Sequence, residues 1–298
     1  MISKTETDIN QNKKAKTKHT LHIISVLIII LSVVATSIGL FYSDAGEAHI
    51  FVNQYGDSVK IFGNGLYKHD SFFMAPIFKG TDFTILFIGV PLLIISSLLD
   101  YKRDITRTKL FLTSILSIFT YYSTSIAFGI TYNALHLVYI ALFGLSFFGL
   151  IIGIGQIRLK NNITIPQKGI KIFLIVSGIS LFVAWLPDII GSLANGRPLE
   201  LIEVYTTQIT YVLDMGIISP LCFICLYLLS IKSNLGYILL GIILTICIFV
   251  GFMVPIQTLF QMHFGIALPI QALITKVCIF ILLAMVAIYY EIKLFKAL

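Results

Sequence analysis

Long apolar stretches alternate with short polar segments along nearly the whole chain. Eight of these stretches come close to the length of about 20 residues that a helix needs to cross a membrane. They lie at roughly 21–42, 82–99, 110–130, 134–157, 172–190, 208–230, 235–254 and 269–290. The pattern predicts an all-α integral membrane protein, built as a bundle of about eight transmembrane helices.

Basic residues divide unevenly between the two faces that such a bundle defines. Alternate threading puts both chain ends and the segments 100–109, 158–171 and 231–234 on one face, which holds sixteen of the twenty-one Lys and Arg residues. The remaining five are Lys60, Lys68, Lys79 and Arg197 on the opposite face, and Lys276 inside the last span. Because cytoplasmic loops carry an excess of Lys and Arg, both termini are predicted to be cytoplasmic, in a cell membrane.

Composition supports the same class. Hydrophobic residues make up 57% of the chain and charged residues 12%, whereas soluble domains contain about 25% charged residues. The formal charge of +7 is spread over short cytoplasmic loops, where it meets anionic lipid, so the expected partner is the lipid bilayer and not nucleic acid. Abundant Ile, Lys and Asn favour an AT-rich bacterial genome.

The chain divides into a tail and one polytopic domain. Residues 1–20 are polar, basic and without periodicity, which predicts a disordered cytoplasmic tail. The apolar run after His22 is too long for a cleaved signal peptide, so it is interpreted as a retained anchor at the start of the domain 21–298.

The domain separates into possible halves of four helices each, 21–157 and 172–290. In each half, the second span carries an Asp in its outer part, followed by Gly and Pro. The two sequences are Asp82 with Gly89-Val90-Pro91, and Asp214 with Gly216-Ile217-Ile218-Ser219-Pro220. An internal duplication explains this match, and so does coincidence, because Gly and Pro are common in membrane helices.

The first outer loop, about 43–81, contains a β-hairpin signal. Two short extended runs, 50–55 and 58–62, flank Gly56-Asp57, a pair that favours a tight turn. We therefore expect a small ordered cap over the helix ends. The second and third outer loops are predicted at about 191–207 and 256–268.

Asp214 is the most informative ionisable residue, because a charge at the centre of a span costs roughly 2.5–3.5 kcal/mol on insertion scales. Thr207, Thr210 and Tyr211 precede it at helical spacing and form one polar stripe with it. Lys276 lies at a similar depth in the last span, so the two charges are predicted to pair. A lysine that extends its ammonium group to the membrane surface is the alternative.

Four further polar residues are expected near the same outer level. Asp82 is interpreted as a helix cap, and Asp188 follows Trp185, which is interpreted as an interfacial anchor. Asn133 is a turn residue, and His136 follows it in the next span, where a satisfied core imidazole is the simpler interpretation.

Motifs of soluble catalysis are missing. The sequence contains no P-loop, H-E-x-x-H, G-x-S-x-G or dinucleotide fingerprint in a suitable context, so no cofactor and no metal are predicted. All four cysteines lie in apolar spans, and Cys222 and Cys225 are interpreted as small hydrophobic residues despite their C-x-x-C spacing.

Three functional classes fit this organisation. A small permease or carrier, taking a small solute or a lipid head group, explains the buried charge and the Gly and Pro breaks, and is preferred. A membrane-embedded enzyme acting on lipid-linked or envelope substrates explains the outward polar cluster. A non-catalytic assembly subunit explains the lack of any strong motif.

The orientation can be tested with single cysteines. Cysteines placed at Asn64 and Asn195 should react with a membrane-impermeant thiol reagent added to intact cells, because both positions are predicted to lie outside. A cysteine at Asn161 should react only after the cells are opened. Labelling of the cysteine at position 161 in intact cells would show that the orientation is the opposite one.

Overall fold

Helices dominate the structure. The computed structural model describes residues 2–159, 163–268, 270 and 273–298, with side chains from Thr17 onward except those of residues 275 and 276. The helices are α1 (Ile2–Phe41), α2 (Ala75–Arg103), α3 (Thr106–Gly129), α4 (His136–Gln156), α5 (Gln167–Asn195), α6 (Ile209–Ser230), α7 (Asn234–His263) and α8 (Ile279–Ala297).

Within the described residues, seven helices are long and apolar enough to cross a membrane: α1 from Thr17 to Phe41, and α2 to α7. This confirms the prediction of an all-α membrane protein. The helical backbone of α1 already begins at Ile2, where a disordered tail was expected for residues 1–20. The eighth apolar run forms α8, preceded directly by the π-helical segment Leu273–Cys278.

Several helices extend beyond the apolar runs that predicted them. α2 begins at Ala75 and not at about 82. Pro76 lies in its first turn, where the missing N–H of proline removes no intrahelical hydrogen bond. α5 continues to Asn195 and ends at Gly196, which has the left-handed φ of 59° that favours glycine. α7 runs through Pro255 to His263, so the third outer loop is shorter than predicted.

α2 and α6 each contain a π-helical segment that ends two residues before a proline. In α2 this segment is Ile85–Gly89, and Pro91 follows in the next α-helical turn. In α6 it is Asp214–Ile218, and Pro220 follows in the same way. A proline ring clashes with the carbonyl one turn earlier, and a wider turn relieves that clash. The segment and the proline have the same spacing in both helices.

The first outer loop forms the predicted hairpin. Strands β1 (His49–Val52) and β2 (Ser58–Ile61) pair antiparallel, with His49 opposite Ile61 and Val52 opposite Ser58. The connection is wider than the two-residue turn expected at Gly56-Asp57. Asn53 closes it, since its Oδ1 accepts the backbone N–H groups of Tyr55 and Asp57, each at 2.9 Å.

This loop packs over one end of the bundle, as expected. Phe62 and Tyr67 are buried there in an apolar cluster with Phe78 of α2 and Tyr205 of the α5–α6 connection. The Phe62 ring lies 5.3 Å from that of Phe264, which follows α7. The connections at this end of the bundle, which were predicted to lie outside, therefore meet in one ordered cap.

The other connections meet at the opposite end. Thr106 donates a hydrogen bond to the Arg158 carbonyl, and Arg107 donates one to the carbonyl of Lys296 near the C-terminus. Lys18 of α1 forms an ion pair with Asp104 at 3.4 Å. Successive connections thus alternate between the two ends, and the basic end is the one predicted to face the cytoplasm.

The centre of the bundle is formed by α3 and α7. Of the apolar stretch of each helix, 67% is buried inside the structure in α3 and 72% in α7, compared with 28% in α4. One apolar core joins α1, α2, α3, α4 and α7, and another joins α5, α6, α7 and α8. Residues of α3 and α7 contribute to both.

The contact between α2 and α7 requires a glycine. A Cβ atom added at Gly80 would lie 2.6 Å from the Cα of Gln257. Gly80→Ala should therefore destabilise the protein by about 1–3 kcal/mol, lowering the apparent Tm in detergent by roughly 2–4 °C per kcal/mol. Gly144→Ala in α4, where an added Cβ meets nothing within 4 Å, is the matched control. Equal Tm values for the two variants would contradict this packing.

Candidate functional site

Asp82 lies about two turns inside α2 and is 1% exposed. The Tyr67 hydroxyl of the cap donates to its Oδ2 at 2.6 Å, and the Tyr122 hydroxyl of α3 donates to its Oδ1 at 3.0 Å. The prediction that Asp82 caps its helix is wrong, because α2 begins earlier, at Ala75. The carboxylate instead joins three separate parts of the fold.

Lys79 stands one turn before Asp82 and was expected in an outer loop. It is buried in α2, where its Nζ donates to the carbonyls of Gly39 at 2.8 Å and Leu40 at 3.3 Å. These are among the last carbonyls of α1, which carry the negative end of the helix dipole. Gly39 also permits the close approach, because a Cβ there would lie 1.9 Å from the Asp82 Oδ2.

Asp214 forms a second buried acid site in α6. The Tyr121 hydroxyl donates to its Oδ1 at 3.0 Å, and the Trp185 indole donates to its Oδ2 at 2.9 Å. Trp185, predicted as an interfacial anchor, also stacks on Tyr211, with ring centroids 4.7 Å apart. The Tyr211 hydroxyl donates to the exposed Asp188 at 2.7 Å.

Two adjacent tyrosines of α3 connect these sites. Successive residues of an α-helix are rotated by about 100° around its axis, so Tyr121 and Tyr122 reach different neighbours. Tyr121 reaches Asp214 of α6, and Tyr122 reaches Asp82 of α2. The central helix therefore holds one buried acid from each possible half of the chain.

Among the described residues, the remaining predicted site residues make no hydrogen bond to Asp82 or Asp214. Asn133 is buried and acts as a turn residue, since its Oδ1 accepts the N–H of Leu135 at 3.0 Å. The His136 ring lies against the ring of Tyr132, with centroids 5.4 Å apart. Thr207 precedes α6 and Thr210 lies in its first turn.

The predicted pair between Lys276 and Asp214 falls partly outside the described residues, because the Lys276 side chain is not among them. Both oxygens of Asp214 already accept hydrogen bonds from neutral donors. Pairing with Lys276 stays a prediction.

A third buried acid, Asp70, connects the outer loops. Its Oδ1 accepts the Thr131 backbone N–H at 2.9 Å and the Tyr205 hydroxyl at 3.1 Å. The neighbouring Ser71 hydroxyl donates to Glu203, in the same connection as Tyr205. Burial raises the pKa of the Asp70 carboxyl to about 7, and it also raises the pKa of Glu203.

An apolar groove opens between α5 and α6 close to Asp188. Its volume is about 330 Å³. The lining residues are Ile189, Leu199, Thr207, Gln208, Tyr211, Val212, Met215 and Gly216. Thr207 and Tyr211, both members of the predicted polar stripe, therefore border a hydrophobic surface, with Tyr211 also bonded to Asp188.

Among the described residues, no group of three or more His, Cys, Asp or Glu side chains is arranged to hold a metal ion. No family model, no curated protein and no solved structure matches the chain. The functional conclusion therefore rests on the chemistry of the site itself.

The site predicted from the sequence did not include Tyr67, Tyr121 or Tyr122. The prediction relied mainly on charged residues within the spans, whereas these tyrosines supply three of the four hydrogen bonds to Asp82 and Asp214. The adjacent pair Tyr121-Tyr122, in the polar stretch 120–125 of this span, was an available signal. Tyr67 was not, because its position depends on how the cap folds.

The Asp70 contact predicts a pH dependence of stability. Its pKa is about 7 in the folded protein and about 3.9 when unfolded. The folded state therefore binds this proton more tightly, and stability should fall as pH rises from about 4 to about 7, by at most about 1.4 kcal/mol per pH unit. The apparent Tm in detergent, followed across that range, measures the slope.

Asp70→Asn should flatten this slope, because the amide keeps an oxygen for Thr131 and Tyr205 but does not ionise. Asp57→Asn, at an exposed position in the hairpin loop, is the control and should keep the wild-type slope. Some slope will remain in Asp70→Asn because the pKa of Glu203 is raised as well. An unchanged slope in Asp70→Asn would refute the assignment to Asp70.

Proposed function

We propose that this chain is a small proton-coupled permease of the cell membrane, with Asp82 and Asp214 as its proton-binding groups. One observation carries the proposal: two buried aspartates, one from each possible half of the chain, are held by adjacent tyrosines of the central helix. Acids within spans are rare, costly and concentrated on ion and proton pathways.

The partners of these acids fit reversible protonation. Each tyrosine or tryptophan donor stabilises the ionised carboxylate, while burial among apolar helices opposes ionisation. Lys79 adds a positive charge one turn from Asp82, but its Nζ is also bound to the end of α1. A carboxylate held between opposing effects of this kind gains or loses a proton when its surroundings change modestly.

The helices that carry the acids contain built-in irregularities. The π-helical segment of α2 follows Asp82 closely, and that of α6 begins at Asp214. Such segments occur frequently at functional sites, and interrupted helices form the binding sites of many carriers with internal repeats. Their equal spacing from Pro91 and Pro220 supports two related halves, 21–157 and 172–290.

We further infer that the chain crosses the membrane eight times, with α8 as the eighth span and both termini in the cytoplasm. The alternation of connections between the two ends of the bundle supports the number, and the basic residues at one end support the direction. Proton-binding acids then lie on the side nearer the outer cap.

The transported solute can be sought without knowing its identity. The full chain is reconstituted into liposomes carrying a proton gradient and given a pooled mixture of small water-soluble metabolites, with uptake read by mass spectrometry. Wild-type protein should accumulate at least one solute in a gradient-dependent way. Asp82→Asn and Asp214→Asn should each reduce that accumulation by about tenfold or more, equivalent to about 1.4 kcal/mol of lost coupling.

Asp57→Asn is the matched control, since it removes an exposed carboxylate of the cap and should retain wild-type uptake. Folded yield is compared by gel filtration, so that loss of uptake is not confused with loss of protein. Full gradient-dependent uptake in both acid variants would contradict the proposal.

The groove between α5 and α6 favours a second candidate function, binding of a lipid-linked substrate. Its apolar lining suits a hydrocarbon chain, and the Tyr211–Asp188 hydrogen bond lies beside it. This candidate predicts that lipid co-purifies with the protein and that Gly216→Trp, which would fill the groove, releases it. Proton-driven uptake unaffected by Gly216→Trp would favour the permease.

A further inference from the structure

Four buried polar atoms lie between the outer cap and α4 without a hydrogen-bond partner among the described residues. They are Asp70 Oδ2, Thr131 Oγ1, Asn133 Nδ2 and the Tyr139 hydroxyl. The Thr131 hydroxyl faces the Asp70 carboxylate, and Tyr139 faces Asn133. The two groups of each pair are neighbours, but neither pair meets the geometry of a well-formed hydrogen bond.

These groups lie near two acids. The Tyr139 hydroxyl is within electrostatic range of both Asp70 and Asp82. It is also within range of Tyr67 and Tyr122, the two tyrosines bonded to Asp82. Asp70 is tied to the same region through its backbone N–H, which donates to the Tyr67 carbonyl at 3.0 Å.

Four unsatisfied groups in one place are costly. Each buried donor or acceptor without a partner costs about 1–3 kcal/mol. A buried water typically makes about three hydrogen bonds to groups of this kind, and water commonly bridges polar atoms that face one another without direct contact. The set contains an acceptor, a donor and two hydroxyls that do either, which matches what water offers.

We propose that these four groups form an internal hydration site that carries protons between Asp70 in the cap and Asp82 in the membrane. The inference rests on the proposed function, in which Asp82 is a coupling acid. It adds a route by which that acid exchanges its proton with a carboxyl group of the cap. Tyr139 and Asn133 position the water, and Asp70 is the outer proton donor and acceptor.

The proton balance of the route explains why Tyr139 is needed. Both oxygens of ionised Asp82 accept tyrosine hydrogens, so when Asp82 takes up a proton, one of these hydroxyls turns to accept it. The displaced tyrosine hydrogen needs a new acceptor, which the nearby Tyr139 oxygen supplies. Each hydroxyl or water between the acids then receives one proton and gives one, and Asp70 loses the proton that Asp82 gains.

Other ionisable groups surround both ends of the route. Those facing Asp70 are Tyr205, Tyr139 and, through Ser71, Glu203. Those facing Asp82 are Lys79, Tyr67, Tyr122 and Tyr139. Burial raises the pKa of Asp70 to about 7, so this carboxyl both binds and releases a proton near neutral pH.

The test is the rate at which Asp82 is protonated. Full-length protein in lipid nanodiscs is subjected to a rapid drop in pH, and the carboxylic acid infrared band that disappears in Asp82→Asn is followed in time. Tyr139→Phe should slow the appearance of this band by about a hundredfold, the lower range for loss of a positioned proton donor, with an unchanged final amplitude. Tyr132→Phe, at an exposed tyrosine of the same turn, should keep the wild-type rate.

Asp70→Asn is a second variant, which serves as the test if Tyr139→Phe fails to fold. It keeps an oxygen for Thr131 and Tyr205, and it should also slow the appearance of the Asp82 band. Wild-type rates in the folded variants would overturn the relay while leaving the permease proposal intact. An Asp82 band that does not respond to pH would overturn both. Slowed protonation without any detectable solute uptake would support the relay and count against the permease.

Discussion

Two carboxylates are buried in an apolar bundle, and the positions of α3 and of the cap follow from that burial. Asp82 and Asp214 have little access to water, and each oxygen accepts a hydrogen bond from a tyrosine or tryptophan. Meeting that requirement fixes the position of α3, whose adjacent tyrosines reach α2 and α6. It also fixes the cap, because Tyr67 must extend down to Asp82.

The cap and the bundle consequently behave as one unit. Tyr67 belongs to the loop that follows the hairpin, yet its hydroxyl is bonded within the membrane-spanning part of α2. Asp70, three residues later, is bonded to the α3–α4 and α5–α6 connections. Because Asp82 and Asp70 are each bonded to the cap, a change at either carboxylate acts on several connections of the cap together.

Membrane class and approximate spans followed from the sequence, because hydropathy and charge asymmetry are local properties. The hairpin was predictable for the same reason, since Gly56-Asp57 lies between two extended runs. Helix ends were predicted less well: Ala75 and His263 lie outside the apolar runs and are set by packing beneath the cap. The partners of Asp82 were beyond prediction, because Tyr67 and Tyr122 approach it from separate elements.

A double-mutant cycle measures the coupling between the two buried acids. Asp82→Asn, Asp214→Asn and the double variant are compared by apparent Tm in the same detergent at one pH. Since adjacent residues of α3 hold both acids, we expect a coupling free energy above about 0.5 kcal/mol, the limit expected for independent sites. Additive effects within that limit would show that Asp82 and Asp214 act separately and that α3 does not link them.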